Sequence, residues 1–129
     1  MGGISRRGAF AFSGLTIWLL ALAFVRPLSV DESQYVAASA LTAHGLLPYR
    51  DYAYLQTPLQ PFAFAPLQWL FAGHVLIATR LANALLGGGT MLLVFGTARR
   101  LGANSGAALA AAAMLAVCEP FTWSTGVAR

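Results

Sequence analysis

The chain alternates between long apolar runs and one polar, proline-rich stretch. The first apolar run covers residues 8–25, with Arg6-Arg7 before it and Arg26-Pro27 after it. About 18 residues of α-helix extend roughly 27 Å, close to a hydrocarbon core of about 30 Å. The pattern therefore predicts a first transmembrane helix. A cleavable signal peptide, with its basic start and short apolar core, is the alternative interpretation of the same run.

Two more apolar runs follow, at residues 75–98 and about 105–125. The first contains Gly87-Gly88-Gly89 and the second is rich in alanine, and small residues of this kind let membrane helices approach one another closely. Together the three runs predict an all-α integral membrane protein with about three transmembrane helices.

Residues 26–74 have a different character, since they hold both histidines, all four tyrosines and five of the six prolines. Ser29-Val30-Asp31-Glu32 fits a helix capping box, and Gly45 is a helix stop, so a helix is predicted over about residues 30–44. Thr57-Pro58-Leu59-Gln60 is a second start signal.

The run behind this second start signal is aromatic and ends at Gly73. Pro66 lies inside it and is expected to break or kink it, because proline has no N–H to donate. We therefore predict a short amphipathic helix lying at the membrane interface.

Composition agrees with a membrane protein. The chain is 58% hydrophobic and only 9% charged, whereas a soluble domain has about 25% charged residues. Every basic residue is an arginine and these are scattered, so we expect no nucleic-acid partner. A single cysteine, Cys118, excludes an internal disulfide.

The placement of charges predicts the orientation. If the N-terminus is cytoplasmic, the inner side holds Arg6, Arg7, Arg99 and Arg100 and no acid. The outer side then holds the other four arginines, Arg129 included, and all four acids. This asymmetry follows the positive-inside rule. It predicts a multi-pass protein of the plasma (inner) membrane with residues 26–74 on the outer face.

Asp31-Glu32 is the most informative acidic pair because it comes directly after the first predicted span. A low-dielectric phase nearby raises the pKa of a carboxyl group, which suits a general base working near neutral pH. The alternative is structural: Glu32 is the third residue of the capping box, and both acids complement the helix dipole.

Arg80 lies in an apolar run, where a charge is costly. It needs an acidic side chain or a bound phosphate as its partner, unless it reaches the nearby interface. His44 and His74 do not have metal-ligand spacing with any acid, so no metal site is indicated, and both are predicted at helix ends. The hydroxyls of Tyr49, Tyr52 and Tyr54 can hydrogen-bond a sugar or a phosphate.

The order and spacing of one set of residues carry a resemblance. These residues are Asp31, Glu32, Tyr35, Gly45, Pro48, Tyr49, Asp51, Pro58, Leu59, Arg80 and Leu81. In this arrangement the chain resembles the start of the GT-C class of membrane glycosyltransferases. It is most similar there to protein mannosyltransferases, aminoarabinose transferases and related bacterial proteins.

The resemblance implies a function. It makes Asp31 the candidate general base and Glu32 its neighbour in the catalytic pocket, with Tyr35, Tyr49, Asp51 and Arg80 as candidate substrate-binding residues. The donor would be a polyprenyl-phosphate-linked sugar, transferred with inversion to an acceptor hydroxyl. No cofactor is implied with certainty, and a divalent metal is not indicated.

Members of this class are several times longer and have further spans. We therefore expect the chain to be the N-terminal portion of a transferase, inactive alone, with the remaining part, membrane lipid and the lipid-linked sugar as its partners. The alternative is a non-enzymatic three-span membrane protein or partner subunit, in which Asp31-Glu32 only caps a helix.

Overall fold

The computed structural model describes residues 6–128, and these form six α-helices. The helices are α1 (Arg6–Val25), α2 (Val30–Ala43), α3 (Leu59–Leu70), α4 (Val75–Arg100), α5 (Ser105–Val117) and α6 (Glu119–Gly126). The predicted all-α fold is confirmed. Arg129, which enters the charge count above, lies outside the described residues.

The long helix α4 is the centre of the fold and contacts each of the other five described helices. The core forms where α1, α4 and α5 meet. Its fully buried members are Leu19, Ala84, Met91, Ala112 and Ala116. Large apolar side chains elsewhere on α4, such as Leu85 and Leu93, are exposed, as expected for a helix whose outer surface faces lipid.

Small residues set the distances between helices, as the sequence predicts. Ala108, Ala112 and Ala116 repeat every four residues, lie on one face of α5 and are fully buried. On α4, a Cβ atom added at Gly87 would lie 2.5 Å from Thr125 Cγ2, and one added at Gly88 would lie 3.4 Å from Thr16 Cγ2. The close approach is therefore confirmed for these two glycines. A Cβ at Gly89 would meet nothing within 4 Å.

Among the described residues, α4 alone is long and apolar enough to cross a membrane as a single straight helix. Up to three spans result if each of two bent helix pairs counts as one: α1 with α2, bent by 94°, and α5 with α6, bent by 67°. The predicted third span at residues 105–125 is thus not one straight helix. Pro120 follows the bend at Cys118 and has no N–H for the carbonyl of Ala116, so α5 ends first. The span boundaries stay predictions.

The polar stretch between α1 and α4 folds as the helix signals indicate. α2 begins at Val30, and His44 and Gly45 follow its last residue, with Gly45 at a φ of 86°. α3 begins at Leu59, and Pro66 lies within the helix without ending it. The 12 residues of α3 extend about 18 Å, too short to cross a bilayer. α2 and α3 pack against each other.

Gly87 offers a test of this packing. Thr125 cannot easily move aside, because its Oγ1 donates to the carbonyl of Phe121. We expect Gly87→Ala to lower the free energy of unfolding in detergent by about 1–3 kcal/mol through overpacking. Gly89→Ala is the matched control, and it should leave stability unchanged or raise it by up to about 1 kcal/mol, the helix-propensity gain. Equal unfolding transitions for the two variants would contradict the packing described here.

Candidate active site

The carboxylate of Glu32 is fully buried and accepts four hydrogen bonds. Its Oε1 accepts from Arg80 Nε at 2.7 Å and from the Ala128 N–H at 2.6 Å. Its Oε2 accepts from Arg80 Nη2 at 2.6 Å and from the Ser29 N–H at 2.8 Å. The last bond belongs to the predicted capping box, which is present. Four acceptor positions are all that a carboxylate offers, so Glu32 is fully occupied by the chain.

Arg80 is equally saturated, since all five of its N–H groups have acceptors. Besides the two bonds to Glu32, its Nη1 donates to the carbonyls of Ala23 (3.0 Å) and Arg26 (2.9 Å). Its Nη2 also donates to the carbonyl of Pro27 (3.2 Å). Two of these carbonyls lie at the C-terminal end of α1, where the helix dipole favours a cation. We call Glu32, Arg80 and the backbone groups that they bind the Glu32–Arg80 clamp.

The observed side-chain partner of Arg80 is an acid, Glu32, which is one of the two kinds of partner that the sequence predicts. Binding a phosphate would require Arg80 to release one of its contacts within the chain. A guanidinium saturated in this way is a structural link between α1, α2 and α4. A phosphate-binding role for Arg80 stays a prediction.

The electrostatics of Glu32 follow from these hydrogen bonds. Burial by itself would raise the pKa of Glu32, but the bonds from Arg80, Ser29 and Ala128 hold that pKa below its ordinary value of 4.5. The expected upward shift is therefore wrong for Glu32, because a buried carboxylate with four donors is stabilised in its charged form. Glu32 is a permanent anion at neutral pH and holds the fold together.

Asp31 differs from its neighbour in being exposed. Successive residues of a helix are rotated by about 100°, so Asp31 and Glu32 occupy different faces of α2. Asp31 instead shares a face with Tyr35, one turn further along. The first turn of α2 thus presents one acid to the clamp and the other to the surroundings.

Tyr35 lines a groove of about 440 Å³ between α2, α3 and α4. We call it the tyrosine groove. Its polar lining residues are Tyr35, Tyr54, Gln56, Thr57, Gln60 and Asn83. None of its lining residues is charged. Hydroxyl and amide groups between aromatic rings suit a neutral, hydroxylated ligand.

Tyr54 is a buried tyrosine of the groove, and its hydroxyl donates to Gln60 Oε1 at 3.1 Å. The rings of the other three tyrosines, Tyr35, Tyr49 and Tyr52, lie with their centroids 6.3–6.5 Å from it. Burial, together with these neighbouring rings, raises the pKa of Tyr54 to about 12. It therefore stays a neutral hydrogen-bonding group at physiological pH.

Asp51 and Tyr49 shape the loop between α2 and α3. The Oδ2 of Asp51 accepts from the Leu47 N–H and pairs with Arg50, both at 2.8 Å. The Arg50 guanidinium and the Leu47 N–H hold the pKa of Asp51 below its ordinary value. Tyr49 has a φ of 68°, and its hydroxyl donates to the carbonyl of Gln56. Asp51 is exposed and does not line the groove.

The six candidate residues therefore fall into three places. The clamp contains Glu32 and Arg80, one face of α2 carries Asp31 and Tyr35, and the loop after α2 holds Tyr49 and Asp51. Only Tyr35 of the six lines the groove directly.

Two groove residues, Gln60 and Asn83, are not among the candidate site residues that the sequence predicts. The sequence predicts that Gln60 caps α3, but α3 has no side-chain cap, and Gln60 Nε2 donates to Ser39 Oγ at 3.3 Å instead. Asn83 is a buried amide in a largely apolar helix, and this unusual placement is the signal that the sequence offers. Within residues 6–128, no group of three or more His, Cys, Asp or Glu side chains could hold a metal ion.

The saturation of Arg80 predicts that lysine cannot replace it. An ammonium has three donors and no planar fork, so Arg80→Lys leaves buried acceptors unpaired and should lower the free energy of unfolding by about 1–3 kcal/mol. Arg50→Lys is the control, since the exposed Arg50–Asp51 pair should contribute nothing measurable. Denaturant titration in detergent compares the two variants. Equal decreases in the free energy of unfolding for the two variants would contradict a stabilising role of the clamp.

The lowered pKa of Glu32 predicts an acid-labile fold. A carboxylate with a depressed folded-state pKa contributes stability above its unfolded pKa, and that stability is lost as the pH falls through the folded value. The melting temperature should therefore decrease as the pH is lowered below about 4.5. Glu32→Gln should be less stable at neutral pH and lack this component of the decrease. A wild-type acid profile in Glu32→Gln would refute the assignment.

Comparison with known proteins adds the family. No curated protein and no solved structure matches the chain. The family model described as dolichyl-phosphate-mannose-protein mannosyltransferase matches residues 30–127. The match begins at the first residue of α2 and contains Asp31, Glu32, the tyrosine groove and Arg80. Because it covers most of the sequence, the chain belongs to the dolichyl-phosphate-mannose-protein mannosyltransferase family, a family of membrane glycosyltransferases.

Proposed function

We propose that the chain carries the acceptor-activating part of a membrane glycosyltransferase that uses a polyprenyl-phosphate-linked sugar. Asp31 is the general base of this reaction. The acceptor is a hydroxyl group, the donor's lipid chain lies in the membrane, and the reaction occurs at its outer face. The rest of the transferase is the partner that completes the site.

One observation carries the assignment of the base. Of the two adjacent acids, Glu32 is buried and has every acceptor position filled, whereas Asp31 is exposed. A general base needs a carboxylate within reach of the proton that it abstracts. An acceptor from outside the chain can approach the exposed Asp31 but not the buried Glu32, and the clamp supports the helical turn that carries Asp31.

The reaction balances with these groups. As the acceptor oxygen attacks the anomeric carbon, its proton passes to Asp31. The bond between that carbon and the phosphate oxygen breaks, and the polyprenyl phosphate leaves with the electron pair. Attack opposite the leaving group inverts the anomeric configuration. A phosphate leaving group carries its own charge well, so a base on the acceptor is the main acid–base requirement.

The tyrosine groove supports a binding role for Tyr35, whose ring lines it, and for Tyr49, which contacts the ring of Tyr54. For Asp51 and Arg80, the contacts within the chain support roles in the loop and in the clamp.

The distribution of charge supports the orientation. α4 begins near the acids of the polar stretch and ends at Arg99 and Arg100. Arg99 donates to the carbonyl of Ala103 in the turn that follows. An end with arginines and no acid favours the cytoplasmic side. This charge distribution supports our proposal that the N-terminus lies in the cytoplasm and the groove at the outer face of the inner membrane.

Asp31→Asn tests the proposal, because it keeps the size of the side chain and removes the base. In membranes containing the full-length protein, we expect glycosyl transfer from polyprenyl-phosphate mannose to fall at least about 100-fold. Expression and membrane insertion should not change. Glu119→Gln, at another exposed acid, is the matched control and should keep wild-type activity. Full transfer by Asp31→Asn would overturn the assignment.

A further inference from the structure

The segment that follows α6 is pinned inside the protein. Val127 and Ala128 are both fully buried. The Ala128 N–H donates to Glu32 Oε1 at 2.6 Å, and the Val127 carbonyl accepts from Asn83 Nδ2 at 2.7 Å. This segment therefore supplies one of the four donors of the clamp, and Asn83 holds the segment in place.

Asn83 links two parts of the site. It comes three residues after Arg80 on α4, so the two side chains lie on the same face of the helix. It also lines the tyrosine groove. Of the residues that the structure describes, Asn83 is the one that both lines the groove and bonds to the segment completing the clamp.

We propose that Asn83 is a positioning residue for glycosyl transfer: by holding Val127–Ala128 against Glu32, it fixes the first turn of α2 and with it Asp31. The inference rests on the proposed role of Asp31 as the base. It adds a residue and a chain segment that the family assignment does not name.

The chemistry of the contact explains why an amide serves here. The Val127 carbonyl is buried and needs a donor, because an unpaired buried carbonyl is costly. A carboxylate at position 83 would have no N–H to give and would add a second negative group near Glu32. An amide donates without adding charge.

The consequence reaches Asp31 through the backbone. If Asn83 no longer holds the segment, Ala128 is released and Glu32 loses one donor. Glu32 and Asp31 are adjacent in the first turn of α2, so a change at one shifts the other. Displacing a catalytic group by about 1 Å can cost on the order of 100-fold in rate. The expected signature is a loss of kcat without a change in KM.

Three variants probe the link in different ways. Asn83→Ala removes the amide, and Asn83→Asp keeps its shape but removes the donor. Ala128→Pro removes the N–H that reaches Glu32, and Val127 already has the extended backbone that a following proline requires (φ −121°, ψ 158°). The matched control is Gln68→Ala, which deletes another amide-to-carbonyl bond, from Gln68 to Val36 at 3.2 Å, away from the clamp.

The first readout is steady-state kinetics of the full-length protein in nanodiscs. We expect each of the three variants to lower kcat by about 10- to 100-fold with KM for the donor unchanged. The double variant Asn83→Ala/Ala128→Pro should be no worse than the poorer single variant, because both act through one link. Gln68→Ala should keep the wild-type kcat.

The second readout does not depend on activity. In a background where Cys118 and any cysteine in the rest of the transferase are replaced by serine, Asp31→Cys provides a single thiol. Its rate of maleimide labelling reports the position of the first turn of α2. Asn83→Ala and Ala128→Pro should change this rate, and Gln68→Ala should not. If Asp31→Asn proves active, the proposed function fails, while the labelling still decides whether Asn83 positions this turn.

The outcomes separate cleanly. A raised KM at constant kcat would make Asn83 a ligand contact of the groove, and a lowered kcat with unchanged labelling would make it act directly on the reaction. An unchanged kcat together with an unchanged labelling rate would show that Val127–Ala128 does not affect the position of Asp31. Each of these results overturns the positioning role, and lowered kcat together with altered labelling supports it. Size-exclusion elution of each purified variant identifies any that fails to fold.

Discussion

The fold depends on the burial of one ion pair. Removing Glu32 and Arg80 from water carries a large desolvation cost, which is offset only when both groups are fully hydrogen-bonded. Here the chain provides four donors to the carboxylate and five acceptors to the guanidinium. These partners come from α1, α2, α4 and the segment after α6, so the pair fixes the relative placement of most of the structure. Asp31 adjoins this hydrogen-bonded residue in the first turn of α2.

Local signals in the sequence were sufficient for the helices of the polar stretch. The capping box at Ser29 and the stop at Gly45 define α2, because they depend on groups only a few residues apart. The same reasoning fails at Gln60, where contact with Tyr54 and Ser39 replaces the local cap. Pro120 shows the opposite error: an apolar run suggested one helix, although a single missing N–H bends it.

For the site too, local sequence predicts some features, whereas others depend on contacts between residues far apart in the chain. That Arg80 needs a partner was predictable from its apolar surroundings, and its two kinds of partner could be named. That the partner is Glu32, 48 residues earlier in the chain, is a tertiary fact. The role of Asn83 was beyond the sequence, because it depends on a backbone carbonyl brought back by the bend between α5 and α6. Residue types restrict the chemistry, while topology selects the pairs.

The same bend has a consequence for biosynthesis. Glu32 leaves the ribosome 48 residues before Arg80 and 96 residues before Ala128. Glu32 therefore lacks some of its hydrogen-bond donors until α4 has been synthesised. When Arg80 is synthesised, its counter-ion Glu32 is already present in the chain. The last donor, the Ala128 N–H, becomes available only after α5 and α6 have been synthesised and the bend of 67° between them has formed. The clamp can therefore be completed only after α1, α2, α4 and the segment after α6 have come together, so it forms late in the folding of the chain.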